Sequence, residues 1–406
     1  MPIALVLGGT APHAELCLRL KDRGYHVVLI DYLEAPPAKF FADEHLVEST
    51  LHPDKVLAIA RERRAELVIA TCVDQANVTA VGVLEKLGKH VPYSHETARL
   101  VSDKVRMKAR MAEGGIPSSR FVTVSDALSE EWRHLRFPLI VKPSDSNGSK
   151  GVRRCDTPAE VRCHLKLALT HSRSGSAVVE EFVTGREIAF DSYVSDKGVR
   201  ILMTRERRKI GEAGGPIQQI FGSFWPASVS SDIEAKLTEV GDRIAETFGL
   251  RNTPLMVQTI VNGEDVSVIE FAPRIGGGEN HHIIEVATGC DVLGAAIDSY
   301  LGEVPVIKPR KPEKIFLDSY LYARPCVLGG VQGLEQLGQE GRVDWLKIYK
   351  APGTRVGEEI SSNNRIASFT ISADSEEEGL LKIDEILTDI EIRDSDGNPV
   401  MLREIY

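Results

Sequence analysis

Ser267-Val-Ile-Glu-Phe-Ala-Pro-Arg-Ile-Gly-Gly-Gly-Glu-Asn-His-His282 is an apolar run that carries a carboxylate and ends in a guanidinium and three glycines. Val266, Val268, Ile269 and Phe271 are β-branched or aromatic, the composition of a covered strand, and Pro273 ends the ladder because it has no backbone donor. Side chains alternate along a strand, so Glu270 faces opposite to Ile269 and Phe271. A carboxylate on a partly covered face needs a partner, and a divalent cation is one that keeps it ionised. Arg274 follows, and Gly276, Gly277 and Gly278 then let the backbone approach a ligand closely. Asn262-Gly263 is a hairpin signal that pairs this strand with Met256 to Val261 and its Gln258. Taken alone, the stretch reads equally well as an Arg-Glu pair before a flexible turn, so the rest of the chain decides.

At 406 residues the chain has room for two or three domains and an ample core. Lys plus Arg number 49 against 59 Asp plus Glu, and the net charge of −10 argues against general nucleic-acid binding. A local basic pocket for phosphates needs only a few placed cations and stays open. Cys17, Cys72, Cys155, Cys163, Cys290 and Cys326 are scattered without a C-x-x-C pair, which suggests neither a zinc site nor a disulfide framework and fits a reducing cytoplasm. The chain enters directly into Ile3-Ala-Leu-Val-Leu7, and no apolar run approaches the ~18 residues of a membrane span. A cytoplasmic protein without a membrane partner is expected.

From residue 1 to about 100 strands and helices alternate: Ile3 to Leu7, a helix from about His13 to Arg23, Val27 to Ile30, a helix from Pro53 to Arg64, Leu67 to Ala70 and a helix from Val78 to Leu87. That alternation predicts a small doubly wound parallel α/β domain. Gly8-Gly9-Thr10 and Asp31 invite a dinucleotide-binding reading, but the G-x-G-x-x-G spacing is absent, so it is declined. A charged helix from Leu100 leads to the stop Gly114-Gly-Ile-Pro117. Phe137 to Pro143 is a short strand carrying Lys142 into the polar loop Ser144 to Val152, and Thr157 to about Thr170 is a capped helix. Ala177 to Val194 forms two extended runs, strands continue at Arg200 to Thr204 and Phe221 to Trp225, and helices follow at Asp232 to Phe248 and Glu285 to Tyr300. Lys308-Pro-Arg-Lys-Pro312 marks a boundary before a small β-rich cap built from Phe316 to Ala323, Trp345 to Tyr349 and Ala367 to Ala373, with a charged helix from Ser375 to Thr388.

Three features carry chemistry. Lys142 beside a glycine- and serine-bearing loop suits phosphate oxygens, although the loop is no Walker A sequence. Glu180-Glu-Phe-Val183 followed by Glu187 offers a strand backbone for an adenine edge and a carboxylate for ribose hydroxyls; a solvated acidic strand edge is the structural alternative. Glu270 with Gln258 offers oxygen ligands to magnesium.

In this order, with Lys104 on the linker helix ahead of them, the features resemble the ATP-grasp superfamily over essentially the whole chain. Within it they look most like the carboxylate-amine ligases that include the L-amino-acid (dipeptide) ligases. The resemblance implies an α/β and α+β fold: an N-terminal doubly wound domain (1–100), a two-lobed ATP-grasp centre (101–310, small lobe about 115–183) and a β-rich C-terminal subdomain (311–406). It implies that Lys104 and Lys142 hold the ATP phosphates and that Ser146, Gly148, Ser149 and Gly151 belong to the loop that closes over them. Glu180, Glu181 and Val183 then match the adenine hinge, Glu187 the ribose ligand, and Gln218 a nucleotide-side position. Gln258 and Glu270 match metal ligands, and Arg274 the catalytic arginine on the acyl phosphate; Gly276, Gly277, His281 and His282 fall where substrate is expected. The histidines could equally cap the next helix. ATP with Mg2+ or Mn2+, small-molecule carboxylate and amine substrates and a homodimer are implied. One departure stands out: the usual Glu-x-Asn-Pro-Arg carries Ala272 in place of asparagine, so one metal contact is lost or comes from water, substrate or a neighbour such as Asn280. The rivals are a carboxylase or carbamoyl-phosphate type reaction on bicarbonate and, because of Ala272, a non-catalytic nucleotide-binding module.

Overall fold

The structure, a computed structural model, describes residues 1–146, 150–210, 219–358 and 364–406. Gly148, Ser149 and Gln218 lie outside the described residues.

The amino-terminal unit is built on four parallel strands in the spatial order Glu44–Val47, His26–Asp31, Ile3–Leu7, Leu67–Ile69. Ala4 to Leu7 and Val27 to Ile30 are fully buried, as parallel strands covered by helices on both faces must be. The helices are Ala11–Asp22, Pro53–Glu62 and Asp74–Lys86. Glu44–Val47 carries no apolar alternation and sits half-exposed at the sheet edge, which is why its sequence does not announce a strand. Asp31 accepts from the backbone N–H of Gly9 at 2.7 Å and of Leu33 at 2.8 Å, so its carboxylate closes the loop rather than awaiting a ribose.

His13 lies fully buried under this loop, and burial holds its pKa down at about 4 although its bond to Leu7 works the other way. The unfolded chain takes up a proton below 6.5 while the folded chain does not, so stability falls as the pH drops from 6.5 to about 4. The expected loss is about 3 kcal/mol, read as a melting temperature that declines over that window in the parent and is flatter in His13→Gln. Equal slopes in the two would refute it.

The linker expected as one helix is two, His95–Ser102 and Lys104–Glu113, because Asp103 turns extended and accepts from the N–H groups of Val105 and Arg106. The small lobe is an antiparallel sheet in the order Phe121–Val124, Ala177–Glu181, Leu139–Pro143, Arg153–Cys155. Its helix Pro158–His171 opens on a capping box between Thr157 and Glu160.

Opposite it stands an antiparallel sheet of eight strands, in the order Asp265–Ala272, Thr253–Asn262, Arg186–Ser195, Gly198–Lys209, Ile220–Trp225, Ile315–Leu321, Ala367–Ala373, Trp345–Ile348. The last three come from beyond the Lys308 to Pro312 boundary, so most of the β structure of the C-terminal region continues the central sheet. Cys326–Gln332, Arg355–Val356 and Glu391–Asp394 form a separate three-stranded sheet. The helix expected from Glu285 to Tyr300 is broken into Asn280–Thr288 and Val292–Leu301: Gly289 turns left-handed at φ 73°, and Asp291 caps the second helix by accepting from the Gly294 N–H at 2.7 Å.

Candidate active site

Between the small lobe and the eight-stranded sheet lies a cleft with about 860 Å³ of empty space. Lys104, Lys142, Ser146, Glu180, Glu181, Val183, Glu187, Gln258 and Glu270, all singled out in the sequence, line it together. Period two explains part of the convergence. Ile140 sits opposite Glu180 and Lys142 opposite Val178, so Lys142 and Glu180 occupy diagonal positions on one sheet face. The Lys142 ammonium lies 2.5 Å from Glu180 Oε1. Burial pushes the Glu180 carboxyl up, but Lys108 and Lys142 more than offset it and hold it down at about 2.

Two further acids of the cleft are also committed. Glu181 accepts from the backbone N–H of Arg136 at 3.1 Å and pairs with its guanidinium at 3.0 Å. Glu187, expected to meet a ribose, pairs with Arg207 at 2.9 Å and Lys209 at 2.8 Å; its burial raises the carboxyl and these two cations bring it below its ordinary value. Ser146 receives the Lys104 ammonium on its carbonyl at 2.7 Å and donates its own hydroxyl to Lys150 O at 2.9 Å. Gly151 is not on the wall: it makes a turn at φ 72° with Pro143 only 3.0 Å from where a Cβ would stand.

Gln258 and Glu270 face each other across the Asn262-Gly263 hairpin. Glu270 Oε2 lies 3.4 Å from the Lys104 ammonium, and Gln258 Oε1 accepts from Arg207 at 3.2 Å. One carboxylate and one amide oxygen fit a hard cation that draws its remaining ligands from phosphate and water, as magnesium does, rather than an all-protein cage. Among the described residues no group of three or more His, Cys, Asp or Glu could hold a metal. Asn280, the neighbour named for the oxygen missing at Ala272, donates its amide nitrogen to Asp191, 3.4 Å from both carboxylate oxygens.

A second cavity, with about 2190 Å³ of empty space, opens beyond Glu270 and reaches the amino-terminal unit. Ser146, Arg207, Gln258 and Glu270 line both, so the two chambers meet at the hairpin pair. Arg274 stands on the second wall, its Nε donating to Asp74 Oδ1 at 2.7 Å and its Nη1 to the Ile275 carbonyl at 2.9 Å. Gly277 lines this chamber, but Gly276, His281 and His282 do not. What Gly276 admits is a side chain of the chain itself, since a Cβ there would fall 1.9 Å from Asn280 Nδ2. The helix that begins at Asn280 carries both histidine rings away from the cavity: His281 is buried, and His282 packs edge-on against Trp345 with centroids 4.7 Å apart.

Sequence reasoning passed over Arg207, Lys209, Lys108 and Asp74. The first two were findable, because Arg205-Glu-Arg-Arg-Lys209 sets three cations at alternate positions, hence on one strand face. Lys108 and Asp74 gave no such signal, since each meets its partner only through the tertiary fold.

Residues 135–281 match the family model described as the ATP-grasp domain. The chain contains an ATP-grasp domain. Similar to it are the formate-dependent phosphoribosylglycinamide formyltransferase of Ignicoccus hospitalis, at 27% identity over 257 residues, and the L-amino acid ligase of Bacillus licheniformis, at 17% identity with a TM-score of 0.80. The first alignment covers 61% of this chain and 62% of that protein, so the match spans less than two thirds of the relative; the second covers 97% and 99%. A third, the biotin carboxylase domain dimer of 2-oxoglutarate carboxylase from Hydrogenobacter thermophilus, solved with magnesium ADP, ADP and bicarbonate, covers 98% of this chain and 91% of its own at 17% identity and a TM-score of 0.74. The likeness in fold to these two solved structures runs from the amino-terminal parallel sheet through the C-terminal strands. Among the described residues no helix is long and apolar enough to cross a membrane.

Proposed function

We propose that this ATP-grasp protein is an ATP-dependent carboxylate-amine ligase that forms an amide or peptide bond through an acyl phosphate. The observation that carries the reading is the meeting of the two chambers at Gln258 and Glu270, with Lys104 and Lys142 on one side and Arg274 on the other. A triphosphate in the first chamber presents its terminal phosphate to that junction, and a carboxylate in the second lies in line with it. The carboxylate oxygen attacks the γ-phosphorus and the bond to ADP breaks; an amine then attacks the acyl carbon and phosphate leaves. No protein nucleophile is needed, so the work is positioning and charge compensation. Lys104 and Lys142 offset the repulsion between the two anions, and Arg274, anchored by Asp74, supplies its remaining N–H groups to the transferring phosphoryl group. A divalent cation held at Gln258 and Glu270 would neutralise charge on the phosphates. The division of the chain near residues 100 and 310, a homodimer and amino-acid-like substrates remain part of this proposal.

The bicarbonate reading has the biotin carboxylase relative in its favour. Lys350 and Arg365, which line the second chamber besides Arg274, support a carboxylate substrate with more groups to recognise than bicarbonate has. ADP release measured over a panel of carboxylate and amine pairs decides: amine-dependent ADP with a stoichiometric amide product is expected. ADP release that follows bicarbonate alone, or nucleotide binding with no turnover on any pair, would overturn the proposal.

A further inference from the structure

Glu180 is held by two ammonium groups rather than one. Lys142 occupies Oε1 at 2.5 Å and lines the nucleotide chamber, whereas Lys108 occupies Oε2 at 2.8 Å and lines neither cavity. Lys108 follows Lys104 by one helical turn, and its side chain is fully covered. Its ammonium also donates to Ser118 Oγ at 2.7 Å and Ser119 Oγ at 3.2 Å, and Ser119 itself donates to Glu180 Oε2 at 2.8 Å. Phe121 closes the site with its ring 5.3 Å from the Lys108 nitrogen.

Two cations on one carboxylate leave a buried excess of one positive charge, an arrangement that is costly unless an anion completes it. The cation able to meet that anion is Lys142, because it borders the cavity. For Lys142 to turn toward a phosphate it must loosen its contact with Glu180, and a buried carboxylate that loses its sole counter-ion is strongly unfavourable. We infer that Lys108 is a positioning residue, a standing counter-ion for Glu180 that frees Lys142 to bind the phosphates of the nucleotide. Without Lys108 the cluster becomes a closed neutral pair, and the nucleotide has to break it. This inference rests on the nucleotide reading of the cleft.

The experiment is calorimetric titration of magnesium ATP into the parent, Lys108→Met, Glu180→Gln and the double variant, with steady-state ADP release alongside. K108M is expected to bind about ten- to a hundredfold more weakly, the scale of one charged hydrogen bond. The loss should appear in the KM for ATP, with kcat at saturating nucleotide largely kept. E180Q removes the charge that traps Lys142, so the double variant should regain most of the lost affinity, which a purely structural role for Lys108 would not produce. If K108M binds like the parent, or the double variant binds no better than K108M, the inference falls while the ligase reading stands. If the parent binds no nucleotide, both fall. Should K108M not fold, E180Q against the double variant decides: equal affinities support the inference, and a further loss of about tenfold or more overturns it.

Discussion

Glu270→Gln is expected to lower turnover by on the order of 10²–10³-fold, the range seen when one preorganised electrostatic contact to a developing charge is removed. The fold should survive. Glu270 is a third exposed, and its one close cation, Lys104, stands at 3.4 Å, an arrangement that contributes little to stability. Its cross-strand neighbour Gln258 already supplies only an amide oxygen, and Ala272 supplies none. A second amide would leave the hairpin without a single anion at the junction of the two chambers, and a hard cation has little affinity for neutral oxygens alone. The defect should therefore show a signature besides the rate: a magnesium titration of ADP release should shift to higher metal concentration in the variant. Unchanged rates and an unchanged magnesium requirement would remove Glu270 from the site and the junction with it.

The parts of this site that the sequence announces are those whose partners are close in the chain or follow strand period. The Asn262-Gly263 turn pairs Val261 with Val266 and Thr259 with Val268, as a tight hairpin does, but strict continuation would set Gln258 against Ile269; a register shift between Gln258 and Thr259 brings Glu270 there instead. Lys142 could be placed on a buried strand because apolar residues surround it. The alternating sheet and helices of the amino-terminal unit were legible for the same reason, except the polar edge strand Glu44–Val47. What was not legible depends on pairings that local pattern does not encode. Nothing near Ile315–Leu321 says that it joins Ile220–Trp225 across nearly a hundred residues, so the C-terminal strands read as a cap although they extend the central sheet. The two histidines after the glycine run looked suited to substrate because they are adjacent to it in the chain; the helix starting at Asn280 turns them into the packing instead. Lys108 reads as one more charge on a charged helix, and only the fold shows that it is covered and set against Glu180.

Arg274→Lys is expected to reduce kcat by roughly 10³-fold, the low end of what an arginine on a transferring phosphoryl group provides, with the KM for ATP little changed. The reason lies in how the fork is divided. Nε is spent on Asp74 and Nη1 on the Ile275 carbonyl, so the guanidinium is clamped in one orientation, and among the described residues its Nη2 has no hydrogen-bond partner. A lysine keeps a positive charge for Asp74, which protects the contact between the amino-terminal unit and the central sheet, but one ammonium cannot serve Asp74 and the phosphoryl oxygens at once. Stability should thus be nearly unchanged while the chemical step suffers, a separation that Arg274→Ala would blur by leaving Asp74 unpaired. Burial alone would push the Arg274 pKa down; Asp74 more than offsets this, so the group stays charged throughout the working range. A basic limb in the pH–rate profile of the parent therefore belongs to the amine substrate or another group, and it should persist in the variant at the lower rate. A lysine variant with a near-parental kcat would show that the charge of Arg274 matters only as the partner of Asp74, and the transferring phosphoryl group would have to be met from elsewhere in the second chamber.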